Sequence, residues 1–124
     1  MKSVFTVSVT GTREGMTPEQ RDAFTVLMRE LLPMTGTFRH GKCVGADITA
    51  AQIVHEMRGE AATPCIVSHP GMNNGDLESD DPYSDEEKLP ETNFARNRVL
   101  VEKCDLLIVL PKDTSRQNHG GTWY

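Results

Sequence analysis

Three observations predict an α/β fold in which a parallel sheet lies between two layers of helix. Apolar, valine-rich runs alternate along the chain with stretches of helical periodicity. The last run, Leu106-Leu107-Ile108-Val109-Leu110, is continuously apolar, as expected of a central parallel strand buried on both faces. Glycine-bearing turns follow the first two runs, Gly11-Thr12-Arg13 and Gly41-Lys42-Cys43-Val44-Gly45. Right-handed crossovers then give strand order 3-2-1-4, with the switch point between the first and fourth strands.

Residues 3–9 alternate and are rich in valine, which predicts the first strand. Thr17-Pro18-Glu19-Gln20 is a helix start, with Thr17 as N-cap, Pro18 at the first helical position and Gln20 at the capping-box position. Phe24, Leu27, Met28, Leu31 and Leu32 follow at helical spacing, and Pro33 marks the stop. Residues 37–40 form a short second strand. Residues 47–57 read as the second helix, with Ile48, Ala51, Gln52 and His55 at three- and four-residue steps and Gly59 as terminator. Residues 65–68 are the third strand. Residues 92–103 are the third helix, capped by Thr92 or Asn93, with Phe94, Val99 and Leu100 turned inward. Residues 106–110 are the fourth strand, closed by Pro111.

A length of 124 residues suits one domain, residues 1–124. No apolar run approaches the roughly 20 residues of a membrane span, and no small-residue cleavage site follows Met1-Lys2-Ser3-Val4-Phe5. A cytoplasmic protein without a membrane partner is expected. Cys43, Cys65 and Cys104 are odd in number and widely spaced, which suits free thiols and disfavours a zinc site. The net charge of -5 hides an asymmetry: residues 71–91 hold eight acids against Lys88 alone. The rest of the chain carries 12 basic against 10 acidic residues. Duplex nucleic acid, which needs a basic face, is therefore not an expected partner. Within the acidic stretch, Asp80, Asp81 and Asp85 lack the spacing of an EF-hand, and a solvated loop is expected there with no bound metal.

Ligands of open α/β sheets bind outside the carboxyl ends of the strands at the switch point. Three segments fall there. Gly11, Thr12 and Arg13 follow the first strand. Gly41, Gly45, Ala46 and Asp47 follow the second. Gly120, Gly121 and Thr122 follow the fourth. Glycines let backbone amides approach a phosphate, and amides at a helix start hold it. Arg13 and Arg96 supply guanidinium forks suited to phosphate, with Asn97 beside the second. Each also has a plainer reading: a turn for the glycines, a solvated side chain for the arginines. Asp47 reads equally as a ribose-hydroxyl acceptor and as the N-cap of the second helix. His40 and His69 sit at strand ends, but general acid–base chemistry needs a partner that the sequence does not supply.

At four motifs the chain resembles the SLOG superfamily of Rossmann-like proteins, which includes the LOG enzymes and DprA. These motifs are Gly11-Thr12-Arg13, His40-Gly41-Lys42-Cys43-Val44-Gly45-Ala46-Asp47, Ala95-Arg96-Asn97-Arg98 and Gly120-Gly121-Thr122-Trp123. The small YspA-type domains of bacteria and phages are the nearest branch. The resemblance spans nearly the whole chain. It implies a Rossmann-like domain that binds a nucleotide or nucleotide-derived ligand as a sensor or sequestering module, with no other cofactor. It also implies a helix and a fifth strand beyond Gly-Gly-Thr, which this sequence lacks. A homo-oligomer is expected, since association would cover the sheet edge so left. The alternative is a LOG-like nucleotide N-glycosidase or phosphoribohydrolase. LOG enzymes use a glutamate shortly after Gly-Thr, where this chain has Trp123 and Tyr124. Glu91, Glu102 and Asp47 are the remaining carboxylate candidates, and binding is the favoured reading.

Overall fold

A computed structural model describes residues 5–72 and 80–111. The chain runs through β1 (Phe5–Gly11), α1 (Pro18–Leu31), β2 (Thr35–His40), α2 (Ala46–Arg58), β3 (Cys65–Ser68), β4 (Glu86–Glu87), α3 (Asn93–Glu102) and β5 (Leu106–Leu110). All pairings are parallel and the sheet order is β4-β3-β2-β1-β5. The four predicted strands are β1, β2, β3 and β5, in the predicted order. The two-residue β4 adds an edge beside β3.

The local signals act as their chemistry requires. Thr17 Oγ1 accepts from the Gln20 amide at 3.0 Å, and Gln20 Oε1 accepts from the Thr17 amide at 3.0 Å, a complete capping box. Gly59 closes α2 at φ 62, where a side chain would be strained. Thr92 caps α3 by accepting from the Ala95 amide at 3.2 Å. Pro33 does not end the first helical segment at once: it lies in a short 3-10 turn, Leu32–Met34, because a proline is tolerated at the start of a new turn.

Phe24 and Met28 of α1, Val7 and Val9 of β1, Phe38 of β2, Ile66 of β3 and Ala50, Ala51, Ile53 and Val54 of α2 form the core. Phe24 and Phe38 meet edge to face, with centroids 6.2 Å apart. Burial of each large side chain contributes about 1.5–3 kcal/mol. This core lies between the sheet and the α1/α2 layer. Leu100 of α3 and Val67 are buried outside it, since the reversed crossover carries α3 to the opposite face, against β1.

Three expectations need correction. Phe94 is 80% exposed; α3 turns Arg96 and Leu100 inward instead, and Phe94, two residues from Arg96, projects to the other side. The apolar β5 stands at one end of the described sheet rather than between two strands, and Val109 is 38% exposed. The acidic stretch is not simply a solvated loop. Asp81 turns inward to His40, Asp85 accepts from the Ile66 amide while partly exposed, and Glu86–Glu87 pair with β3.

Candidate functional site

The carboxyl ends of β1, β2, β3 and β5 converge on one crevice. At its base, the Gly11 turn presses on the start of α2. A Cβ at Gly11 would lie 2.5 Å from Ala46 Cβ, and one at Gly45 (φ 94) would strike the Thr12 and Arg13 carbonyls. The Ala46 amide donates to Thr12 O at 3.0 Å, and the Thr12 amide donates to Leu110 O at 3.0 Å. Glycine is required at both positions: a Cβ at Gly11 would collide with the Ala46 side chain, and one at Gly45 with the backbone of residues 12–13. Pro111 O accepts from Gln20 Nε2 at 2.8 Å, so β5 also delivers the chain to this crevice. Among the described residues no side chain caps the α2 N-terminus, and the positive end of its dipole lies at this turn.

Asp47 does not cap α2, whose N-cap is Gly45. It reaches back instead, and Oδ2 accepts from the Gly41 amide at 3.0 Å. The residue is 4% exposed, and Oδ1 is buried with no hydrogen-bond partner among the described residues. Burial pushes the Asp47 pKa up; the Arg96 charge and the Gly41 and Cys43 amides oppose this without cancelling it.

Arg96 is a strut across the crevice. Its Nη1 donates to Gly41 O at 2.7 Å and to His69 O at 3.4 Å. Its Nε donates to Asn97 Oδ1 at 2.7 Å. The guanidinium therefore joins the ends of β2 and β3, and Nη2 takes no part in these bonds. Arg13 is exposed at the crevice mouth. Thr12 Oγ1 accepts from the Glu14 amide at 3.3 Å, within its own turn. Gly11, Thr12, Arg13, Gly41, Gly45, Ala46, Asp47, Arg96 and Asn97 thus belong to one neighbourhood. Gly120, Gly121 and Thr122 lie outside the described residues.

A second polar group, absent from the sequence reading, lies beside the first. His40 is fully buried. Its Nδ1 accepts from the Lys42 amide at 3.0 Å, so the proton sits on Nε2, which donates to Ser84 Oγ at 2.8 Å. Ser84 Oγ donates in turn to Asp81 Oδ2. Asp81 Oδ2 lies 3.3 Å from His40 Nε2, with its side chain 2% exposed. Burial raises the Asp81 pKa, but the His40 and Ser84 hydrogen bonds outweigh it and bring the value to about 2. The polarity of this relay rules against a serine nucleophile, because a protonated Nε2 cannot take the serine proton. It holds residues 81–84 against β2. Asp85 does the same for β3: Oδ2 accepts from the Ile66 amide at 2.8 Å and pairs with Arg58. Nothing in sequence spacing signals these contacts, since they join positions more than 40 apart for His40–Ser84 and 27 apart for Arg58–Asp85. Among the described residues no group of three or more His, Cys, Asp or Glu side chains is placed to hold a metal.

No family model matches the chain, and no curated protein matches it. Among solved structures it is similar to TM1055, a structural genomics target determined by X-ray crystallography, with a TM-score of 0.57 at 23% identity. The match covers 86% of this chain and 59% of that one. The chain thus spans well under two thirds of the similar structure's length, and at this identity the likeness shows the fold alone. A Rossmann-like parallel α/β sheet is the shared architecture. No helix among the described residues is long and apolar enough to cross a membrane.

Proposed function

We propose that this chain is a SLOG-type domain that binds a nucleotide or nucleotide-derived ligand in the carboxyl-end crevice and acts as a sensor or sequestering module. The observation that carries this reading is the buried Asp47 carboxyl. One oxygen accepts from the Gly41 amide, and the other, Oδ1, is buried and makes no hydrogen bond among the described residues. A buried polar atom left unpaired costs about 1–3 kcal/mol, and a ligand hydroxyl would recover it. The uncapped first turn of α2 lies next to this oxygen and suits a phosphate. Arg13, exposed at the mouth, is the guanidinium available to an incoming anion.

Binding is favoured over glycosidic hydrolysis because, among the described residues, the nominated carboxylates Asp47 and Glu102 are both already engaged. Asp47 is 4% exposed, and burial pushes its pKa up. Glu102 pairs with Arg98 at 2.7 Å on the exposed side of α3. Glu91 is tied through its backbone to Pro70 and Met72.

A thermal-shift screen against mononucleotides, dinucleotides and cyclic ADP-ribose-type ligands tests the reading, since binding to the folded state alone raises the midpoint. Asp47→Asn and Arg13→Ala are the controls. Arg96→Ala is unsuitable, because it removes a strut. A shift for one ligand class that both variants diminish supports the crevice, and recovery of the ligand intact supports binding without cleavage. Release of free base would establish the hydrolase instead. No shift with any class would remove the proposal.

A further inference from the structure

The α3 side of the sheet carries a second concentration of unsatisfied polar groups, which the crevice does not use. Register partners in parallel strands project to the same face. Ser8 pairs with Arg39, Arg39 with Val67, and Val67 with Glu86. This row lies opposite the α1/α2 core, because Val7, Phe38 and Ile66, one position earlier on each strand, belong to that core. Arg39 Nη1 donates to His69 Nε2 at 2.9 Å. A guanidinium only donates, so that ring nitrogen is unprotonated and the imidazole neutral. Arg39 therefore carries a positive charge next to a neutral base and makes no ion pair with a carboxylate among the described residues. Its Nε is buried and has no hydrogen-bond partner among the described residues, and the same holds for Ser8 Oγ on the neighbouring strand. Glu86, the carboxylate in the same row, is engaged with Lys88 at 2.7 Å. The charges of Arg39, Lys88 and Lys103 all bear on the His69 ring.

Buried or half-buried cations in folded proteins are normally paired. Here the half-buried Arg39 stands beside a neutral imidazole, while the one acid of its row is taken by Lys88. We propose that Arg39, together with Ser8 and His69 and flanked by Lys88 and Lys103, forms a site for a small tetrahedral oxyanion of the phosphate class on the α3 side of the sheet. Arg39 Nε and Ser8 Oγ are its first donors, and the two lysines supply field rather than geometry. The site is separate from the glycine-loop crevice and does not depend on the nucleotide reading. Among the described residues the two are linked at His69, whose carbonyl accepts from Arg96.

His69 is the reporter. Burial, then the Arg39 charge, lowers its pKa from 6.5 to about 4. An anion seated among these cations would favour the imidazolium and raise that value. The experiment follows the His69 ring by NMR while inorganic phosphate is added at constant ionic strength with chloride, and measures the same binding by calorimetry near neutral pH. The wild type should show an upward displacement of the His69 titration. Lys103→Gln, an exposed change, should weaken phosphate binding about fivefold, and Arg39→Gln at least about tenfold, the loss of one charge-assisted contact. A nucleoside monophosphate and the bare nucleoside are run beside phosphate. Response to inorganic phosphate assigns a free-anion site; response to the monophosphate alone assigns the phosphate of a larger ligand; response to the nucleoside overturns the anion chemistry. An unmoved His69 in the wild type, or a response that survives Arg39→Gln, also overturns it. So does a phosphate response abolished by Asp47→Asn, which would return the anion to the crevice.

Discussion

Arg96 and Asp47 grip opposite sides of one glycine. Arg96 Nη1 takes the Gly41 carbonyl at 2.7 Å, and Asp47 Oδ2 takes the Gly41 amide at 3.0 Å. The peptide units on both sides of Gly41 are thus fixed by side chains 6 and 55 positions away. This arrangement defines the crevice wall between β2 and β3, and it explains why an arginine is buried on a helix of otherwise exposed polar residues.

Gly41→Ala should be among the most damaging single-methyl changes in the chain. The new Cβ would lie 2.7 Å from Arg96 Nη1 and 2.8 Å from Asp47 Oδ2, so one grip must open. The expected loss is about 1–3 kcal/mol of stability, read by chemical denaturation, together with loss of any crevice ligand. An unchanged midpoint would refute the double grip.

Gly45→Ala should cost as much or more by a different route. Its φ of 94 is unfavourable for any side chain, and its Cβ would enter the Arg13 and Thr12 carbonyls. The cost is about 1–2 kcal/mol for the backbone conformation alone, with the overlap added. Gly15 has a similar φ of 89 but open space around it. Gly15→Ala should therefore show the conformational cost without the collision, and denaturation of the pair separates the two effects.

Asp47 should make the protein more stable in mild acid than its other groups would. A carboxyl whose folded pKa lies above its unfolded value of 3.8 binds a proton more readily in the folded state. Its favourable contribution is present below 3.8 and is lost as pH rises through the folded value. Asp47→Asn should flatten that part of the stability–pH curve and raise stability near pH 7 relative to the wild type, while lowering ligand affinity. Denaturation midpoints compared between pH 4 and pH 8, as an approximate window set by this shift, decide it.

Asp81 has the opposite sign. Its folded pKa of about 2 lies below 3.8, so its contribution is present above 3.8 and is lost as pH falls towards 2. The difference corresponds to about 2 kcal/mol. Asp81→Asn should destabilise by this order at neutral pH and should remove the corresponding part of the acid limb. Ser84→Ala should reproduce a fraction of the effect, since it removes one of the two side-chain donors to Asp81.

The elements legible in the sequence were those written in local chemistry. Thr17, Pro18 and Gln20 announced α1, Gly59 ended α2, and Thr92 capped α3 because caps and terminators act within a few residues of themselves. The glycine turns after β1 and β2 were legible for the same reason. Phe94 was misread because an apolar side chain at helical spacing does not say which face meets the sheet. The acidic stretch was misread because composition reports average solvation and not the particular aspartates that reach a buried partner.

The amino-acid sequence on its own determined the α/β class, the strand order and the loops that gather at the carboxyl ends. Periodicity, capping and crossover handedness are local or nearly universal constraints. Only the tertiary structure decided that Arg96 is a strut, that Asp47 keeps one oxygen unpaired, that His40 and Asp81 share a serine, and that Arg39 faces a neutral histidine. These are contacts between residues distant in the chain, and their partners and burial exist only once the sheet has assembled.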